Sequence, residues 1–145
     1  MHDQHELATP WQVLRLTFGL VPIVAGFDKF TNILVDWTQY LSPLAQDLLP
    51  ISGSTFMMLV GVIEIVAGLL VLSRFTRLGA YIVSAWLVGI AINLIAAGYL
   101  DIAVRDVVMA VGAFALAKLT EVRAHDAAQE RTRYDAVARP AAATS

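Results

Sequence analysis

Residues 54–73, STFMMLVGVIEIVAGLLVLS, and residues 78–100, LGAYIVSAWLVGIAINLIAAGYL, decide the fold. The second stretch holds 23 residues and no charge. As a helix it would run about 34 Å, long enough to cross a hydrocarbon layer. The first stretch holds a single charge, Glu64. Neither shows the polar stripe at helical period that the outer face of a soluble bundle helix needs.

Two weaker apolar stretches flank this pair. Residues 11–30, WQVLRLTFGLVPIVAGFDKF, and residues 102–119, IAVRDVVMAVGAFALAKL, carry Arg15, Asp28, Lys29, Arg105, Asp106 and Lys118 near their ends. The four segments together predict an all-α fold, a four-helix transmembrane bundle. The chain divides into a polar N-terminal segment, 1–10, a bundle, 11–120, and a cytoplasmic tail, 121–145. The tail begins as an extension of the last helix, and its end, RPAAATS, is expected to be disordered. Residues 1–10 lack the basic region and cleavage site of a signal peptide, so segment one is expected to remain in the mature protein.

The links have their own signals. Residues 74–77, RFTR, predict a tight hairpin between segments two and three, and segments three and four meet at Asp101. Only residues 31–53 form a long link. Ile33, Trp37, Leu41, Leu44 and Leu48 recur there at helical spacing, with Pro43 interrupting and Pro50 and Gly53 ending the run. This predicts a short amphipathic segment of one or two helices on the outer membrane surface. Trp37, Tyr40 and Tyr99 on one side, with Trp11 and Tyr81 on the other, suit interfacial aromatic belts. An inward N-terminus puts eight Lys and Arg residues inside and only Lys29 and Arg105 outside. That bias predicts a multi-pass protein of the inner (plasma) membrane with both termini cytoplasmic.

Composition narrows the function classes. Hydrophobic residues make up 58% of the 145, and charged residues 15%, well under the share of about 25% in soluble domains. A net charge of −2 provides no basic field for nucleic acid. With no cysteine, and with the three histidines confined to polar flanks, the chain carries no recognisable redox centre of its own. No cofactor is intrinsic, and a partner would have to bring any electron carrier.

Small residues line one face of each segment. Gly19 and Gly26 lie with Arg15, Pro22 and Lys29; Gly61 and Gly68 flank Glu64; Ala85, Gly89, Asn93 and Ala97 share a face; Ala110, Ala113 and Ala117 follow Asp106. Such faces let helices approach closely in lipid. The polar residues among them are the candidate site. Glu64 sits mid-segment, where an ionised carboxylate costs about 2.5–3.5 kcal/mol unless paired, protonated or wet. Asn93, Arg105, Lys29, Asp28 and Asp106 lie toward the outer side and could ring one pocket with it, while Arg15 lies nearer the inner surface and can snorkel. Two readings stand. The set is either an internal network that locks the bundle, or a site for a lipophilic ligand with a polar head, such as a quinone. In the second, Glu64 supplies a proton, Arg105 or Asn93 donates to a carbonyl, and Trp86, Phe27 or Phe114 forms a wall. A small transporter fits less well, because no broken helix pair is evident.

Three stretches resemble the DoxX-like family of small four-helix membrane proteins. They are RLTFGLVPIVAGFDKF at 15–30, GVIEIVAGLLVLSRFTRLGA at 61–80, and DIAVRDVVMAVGAFALAKL at 101–119. The resemblance implies a four-helix transmembrane fold and an association with quinone-linked membrane redox systems, with other membrane-protein subunits as partners. Its polar positions correspond to Arg15, Lys29, Glu64, Arg77, Arg105 and Asp106. Pro22 and the tail after Glu121 depart from it. The expected function is a bilayer-embedded subunit or scaffold of a redox complex, holding quinone or lipid. The alternative is a quinone-reducing subunit with Glu64 as proton donor.

Overall fold

The computed structural model describes the backbone of residues 3–142 and the side chains from Leu7 to Ala138. Every regular element among the described residues is helical. In chain order they are α1 (Asp3–Thr31), a 3-10 turn (Trp37–Tyr40), α2 (Pro43–Leu48), α3 (Gly53–Leu72), α4 (Thr76–Ala96) and α5 (Leu100–Ala142). The four long helices close a ring: α1 packs on α3, α3 on α4, α4 on α5, and α5 returns to α1.

Local chemistry sets the ends. The Ser42 hydroxyl accepts from the Ala45 N–H, with Pro43 in the first turn, where its missing N–H costs nothing. The Ser52 hydroxyl accepts from the Thr55 N–H at the start of α3. Pro43 therefore starts α2. Residues 31–53, expected to form one or two short helices, form a 3-10 turn and α2 on either side of Leu41 and Ser42. The α3–α4 hairpin is closed by Thr76, whose hydroxyl donates to the Val71 and Ser73 carbonyls, both at 2.9 Å. Gly98, at φ +86°, turns the chain from α4 into α5, a backbone conformation that favours glycine.

The α1–α3 contact is made through glycine. A Cβ on Gly26 would come within 2.5 Å of the Gly61 carbonyl oxygen, and one on Gly68 within 2.4 Å of the Gly19 carbonyl oxygen. Each helix thus has two glycines seven residues apart on the contact, Gly26, Gly61 and Gly68 against the opposing backbone and Gly19 against the Leu72 side chain, as the small-residue faces predicted. The core beside this seam is built from Phe18, Ala67, Val71, Ala80, Val83 and Leu116. Outward, the helices are apolar: Leu20 and Val24 on α1, Val66 on α3, Ile92 on α4 and Val108 on α5 are all exposed. Two helices, Gly53–Leu72 and Thr76–Ala96, are long and apolar enough to cross a membrane.

Three details differ from the sequence expectations. α1 begins at Asp3, ahead of the apolar run, because DQHELAT contains good helix formers. α5 continues to Ala142, through most of RPAAATS, because the tail is rich in Ala, Glu and Arg; residues 143–145 of that stretch lie outside the described residues. The proposed packing face of α4 is only partly used. Ala85 and Gly89 are exposed, and a Cβ on Gly89 would meet nothing within 4 Å. Ala80, Val83, Ala91 and Leu94 pack instead.

Candidate functional site

The glycine seam determines what meets at the centre. Lys29 lies three residues beyond Gly26 on α1, and Glu64 three beyond Gly61 on α3. With the backbones in contact, the two side chains face each other across the seam. Lys29 Nζ donates to Glu64 Oε2 at 2.6 Å, and the side chains are only 4% and 10% exposed. The Trp37 ring, supplied by the 3-10 turn, covers the ammonium at 3.7 Å from its centroid. Asp106 on α5 is 8% exposed and lies within electrostatic range of both Glu64 and Lys29. The Trp86 indole N–H comes from α4 and lies beside the Glu64 carboxylate, outside hydrogen-bonding geometry; its nitrogen is buried without a partner. All four long helices contribute to this cluster.

The remaining predicted site residues are not part of it. Asp28 faces the loop. Its Oδ1 accepts from the Ile33 and Leu34 N–H groups, both at 3.0 Å, and its Oδ2 from the Trp37 indole at 2.7 Å. It thereby ends α1 and aims Trp37 at Lys29. Asn93 uses both ends of its amide on the same link: Oδ1 accepts from the Ser42 N–H at 3.1 Å, and Nδ2 donates to the Tyr40 carbonyl at 2.8 Å. Tyr40 then meets Tyr99 edge-on at 5.1 Å. Arg105 is exposed on α5. Arg15 lies at the opposite end, where its guanidinium donates to the carbonyls of Val71 at 3.2 Å, Ser73 at 3.1 Å and Leu72. A cation on the last carbonyls of α3 also complements the helix dipole. The expected single ring of six polar residues is therefore divided into a buried cluster and an outer clamp, with Arg105 in neither, and Arg15 forms a separate inner cap.

The inner end has a further network. The Trp11 indole donates to Thr120 Oγ1 at 2.8 Å, joining α1 to α5. The Glu121 carboxylate accepts from the Tyr81 hydroxyl and from Lys118 Nζ, both at 2.9 Å. These bonds hold the Glu121 carboxyl below the usual glutamate range, Lys118 contributing most. Sequence reasoning placed Trp11, Tyr81, Trp37 and Tyr40 at the two interfaces but not their partners. Among the described residues, no group of His, Asp and Glu is placed to hold a metal ion.

Apolar helix exteriors around a buried ion pair, with two helices long and apolar enough to span, define a helical membrane protein of the lipid bilayer. The family model of DoxX matches residues 11–98, more than half the chain. The chain belongs to the DoxX family. The match covers α1 through α4 and ends before α5, so Arg105 and Asp106 lie outside it. No curated protein and no solved structure matches the chain.

Proposed function

We propose that this protein is a multi-pass subunit of the inner (plasma) membrane that crosses the bilayer four times, with both termini cytoplasmic, and acts as a scaffold within a quinone-linked redox complex. One observation carries the reading: Lys29, Glu64, Asp28, Asn93 and Arg15 are each joined to another side chain or to backbone. Lys29 holds Glu64, Asn93 and Asp28 hold the outer link, and Arg15 holds the end of α3. Such a network gives a rigid apolar cylinder, which suits an anchor for other membrane subunits. Exposed apolar side chains on α1 and α5 as well as on α3 and α4 support four crossings.

A quinone would bring a two-electron, two-proton carrier to such a complex. The Trp86 indole N–H is the group beside Glu64 that could donate to a ring carbonyl, since Asn93 is bonded to the outer link and Arg105 is exposed. Asp106, buried within electrostatic range of the same pair, is the second residue that would face a ring head. The competing reading, direct quinone reduction with Glu64 as proton donor, is disfavoured by the 2.6 Å contact that ties Glu64 to Lys29.

Native co-purification in mild detergent tests the scaffold. Redox subunits should accompany the chain at physiological expression. Recovery of the chain alone at every expression level would overturn it. Quinone-reduction assays on Glu64→Gln separate the second reading: turnover that depends on Glu64 would favour it, and unchanged turnover would remove Glu64 from the chemistry.

A further inference from the structure

At the inner end of the bundle the Trp11 indole N–H donates to Thr120 Oγ1 at 2.8 Å, which fixes the ring between α1 and α5. Two guanidinium groups lie over that ring. The central carbon of Arg15 is 5.1 Å from the ring centroid, and that of Arg123 is 4.7 Å from it. The two cations therefore lie within about 10 Å of each other. Arg15 uses Nε and Nη2 on the neutral carbonyls that end α3, and its Nη1 makes no hydrogen bond among the described residues. Arg123 Nη1 is buried without a hydrogen-bond partner. Among the described residues no ion pair reaches either group, and Glu121 is already held by Tyr81 and Lys118. Two like charges and an unmatched buried donor share one ring, an arrangement that an anion would complete. Trp11 lies one turn beyond Arg15, which itself caps the last carbonyls of α3. That is the depth at which a spanning helix passes from hydrocarbon to headgroups, and at which tryptophan is enriched.

We propose that Trp11, Arg15 and Arg123 form a binding site for the phosphate of an anionic phospholipid. Arg123 and Arg15 each supply a terminal nitrogen that lacks an acceptor, and guanidinium donors match phosphate oxygens in charge and geometry. The indole holds both groups in place before the lipid arrives, so little side-chain freedom is lost on binding. Val13 and Leu16 on α1 and Val122 on α5 are exposed apolar neighbours in the chain, and they give the acyl chains a surface that a free anion could not use. With the termini cytoplasmic, the lipid belongs to the inner leaflet, whose anionic headgroups attract cations at the membrane surface. Arg123 lies beyond the residues that match the family model, so the site depends on this chain's own continuation of α5. The inference goes beyond the scaffold role and does not need it; only the choice of leaflet rests on the proposed topology.

The test is native mass spectrometry of the full chain without partners, delipidated in a non-ionic detergent. It is offered equal amounts of phosphatidylglycerol and phosphatidylcholine with identical acyl chains. Both lipids carry a phosphate, but the choline cation offsets its charge and is repelled by the two guanidinium groups. The expected result is one phosphatidylglycerol retained in preference, by on the order of tenfold. Arg123→Gln should remove most of that preference. Arg131→Gln, on the exposed tail, removes the same charge and should leave the preference intact. Inorganic phosphate in excess should not displace the lipid, because it has no chains to bury. Equal retention of the two lipids by the wild-type chain would overturn the inference. Equal losses in the two variants would also overturn it, because net charge alone would then be at work. Complete displacement by inorganic phosphate would do the same, because the site would then serve a free anion. The wild-type comparison needs no substitution, so a variant that fails to fold leaves the test intact.

Discussion

Lys29 and Glu64 show how one residue pair can be indispensable without being a net source of stability. Removing one partner of a buried pair typically costs about 3–5 kcal/mol, because the other charge is left unmatched. Asp106 makes the two removals unequal here. In Glu64→Gln the ammonium still has a carboxylate nearby, whereas Lys29→Met leaves only acids. Lys29→Met should therefore lower the melting temperature in detergent more than Glu64→Gln; equal losses would mean that Asp106 does not share the ammonium. Glu121 offers a pH-dependent case at the inner end. Its carboxyl is held low by Lys118 and Tyr81. Its contribution is present above the unfolded glutamate value and is lost as pH falls through the lower folded value. Tyr81→Phe should flatten the acid limb of a stability–pH curve by lowering stability modestly at neutral pH, with stability at the acid end unchanged. A curve that keeps its shape would show that the Tyr81 bond does not matter to folding. The residue types involved were legible in the sequence, but their partners were not. Glu64 stood out as a mid-segment acid, yet nothing in the order of residues said whether Lys29, Arg105 or Asn93 would meet it.

Among the elements, the α1–α3 seam and the outer link are the two places where small changes should have large effects. At Gly26 and Gly61 an added side chain would strike the carbonyl of the opposing helix within 2.6 Å or less, and backbone cannot yield as a flexible side chain can. Overpacking a core usually costs about 1–3 kcal/mol. Gly61→Val should reach or exceed that range and separate Lys29 from Glu64, while Gly89→Val on the open face of α4 should be tolerated. Thermal melting of the two variants checks this, and equal tolerance would refute the seam. Asn93→Ala removes two bonds to the link and should cost about 1–3 kcal/mol. Hydrogen exchange over residues 37–48 should speed up in that variant, with α3 and α5 unaffected. The seam could be anticipated because glycines seven residues apart lie on one helix face. The Asn93 clamp could not, because it joins residues more than fifty positions apart.

For the molecule as a whole, the bilayer and the tail set the remaining expectations. The native chain has no cysteine, so single cysteines can report its sidedness. With the termini inside, Thr38→Cys should react with an impermeant reagent from outside and Ser73→Cys only after permeabilisation; the reverse pattern would invert the topology. Beyond Asp126, α5 is exposed on every side along residues 127–138. Removing residues 127–145 should leave the melting temperature of the bundle unchanged, and a clear drop would mean that the tail packs on it. Although the turn at Gly98 lies inside the stretch read as one unbroken segment ending at Leu100, sequence alone determined that the chain is helical, that its apolar segments suit a bilayer, and where its first two links fall. These follow from local properties: run length, period and the turn chemistry of Ser, Pro and Gly. Only the tertiary structure decided that Lys29, Glu64 and Asp106 share one buried site while Asp28, Asn93, Arg105 and Arg15 do other work. Which face of one helix meets which face of another depends on backbone approach distance and rotation, and a few ångströms at a glycine contact determine whether a long side chain reaches its partner.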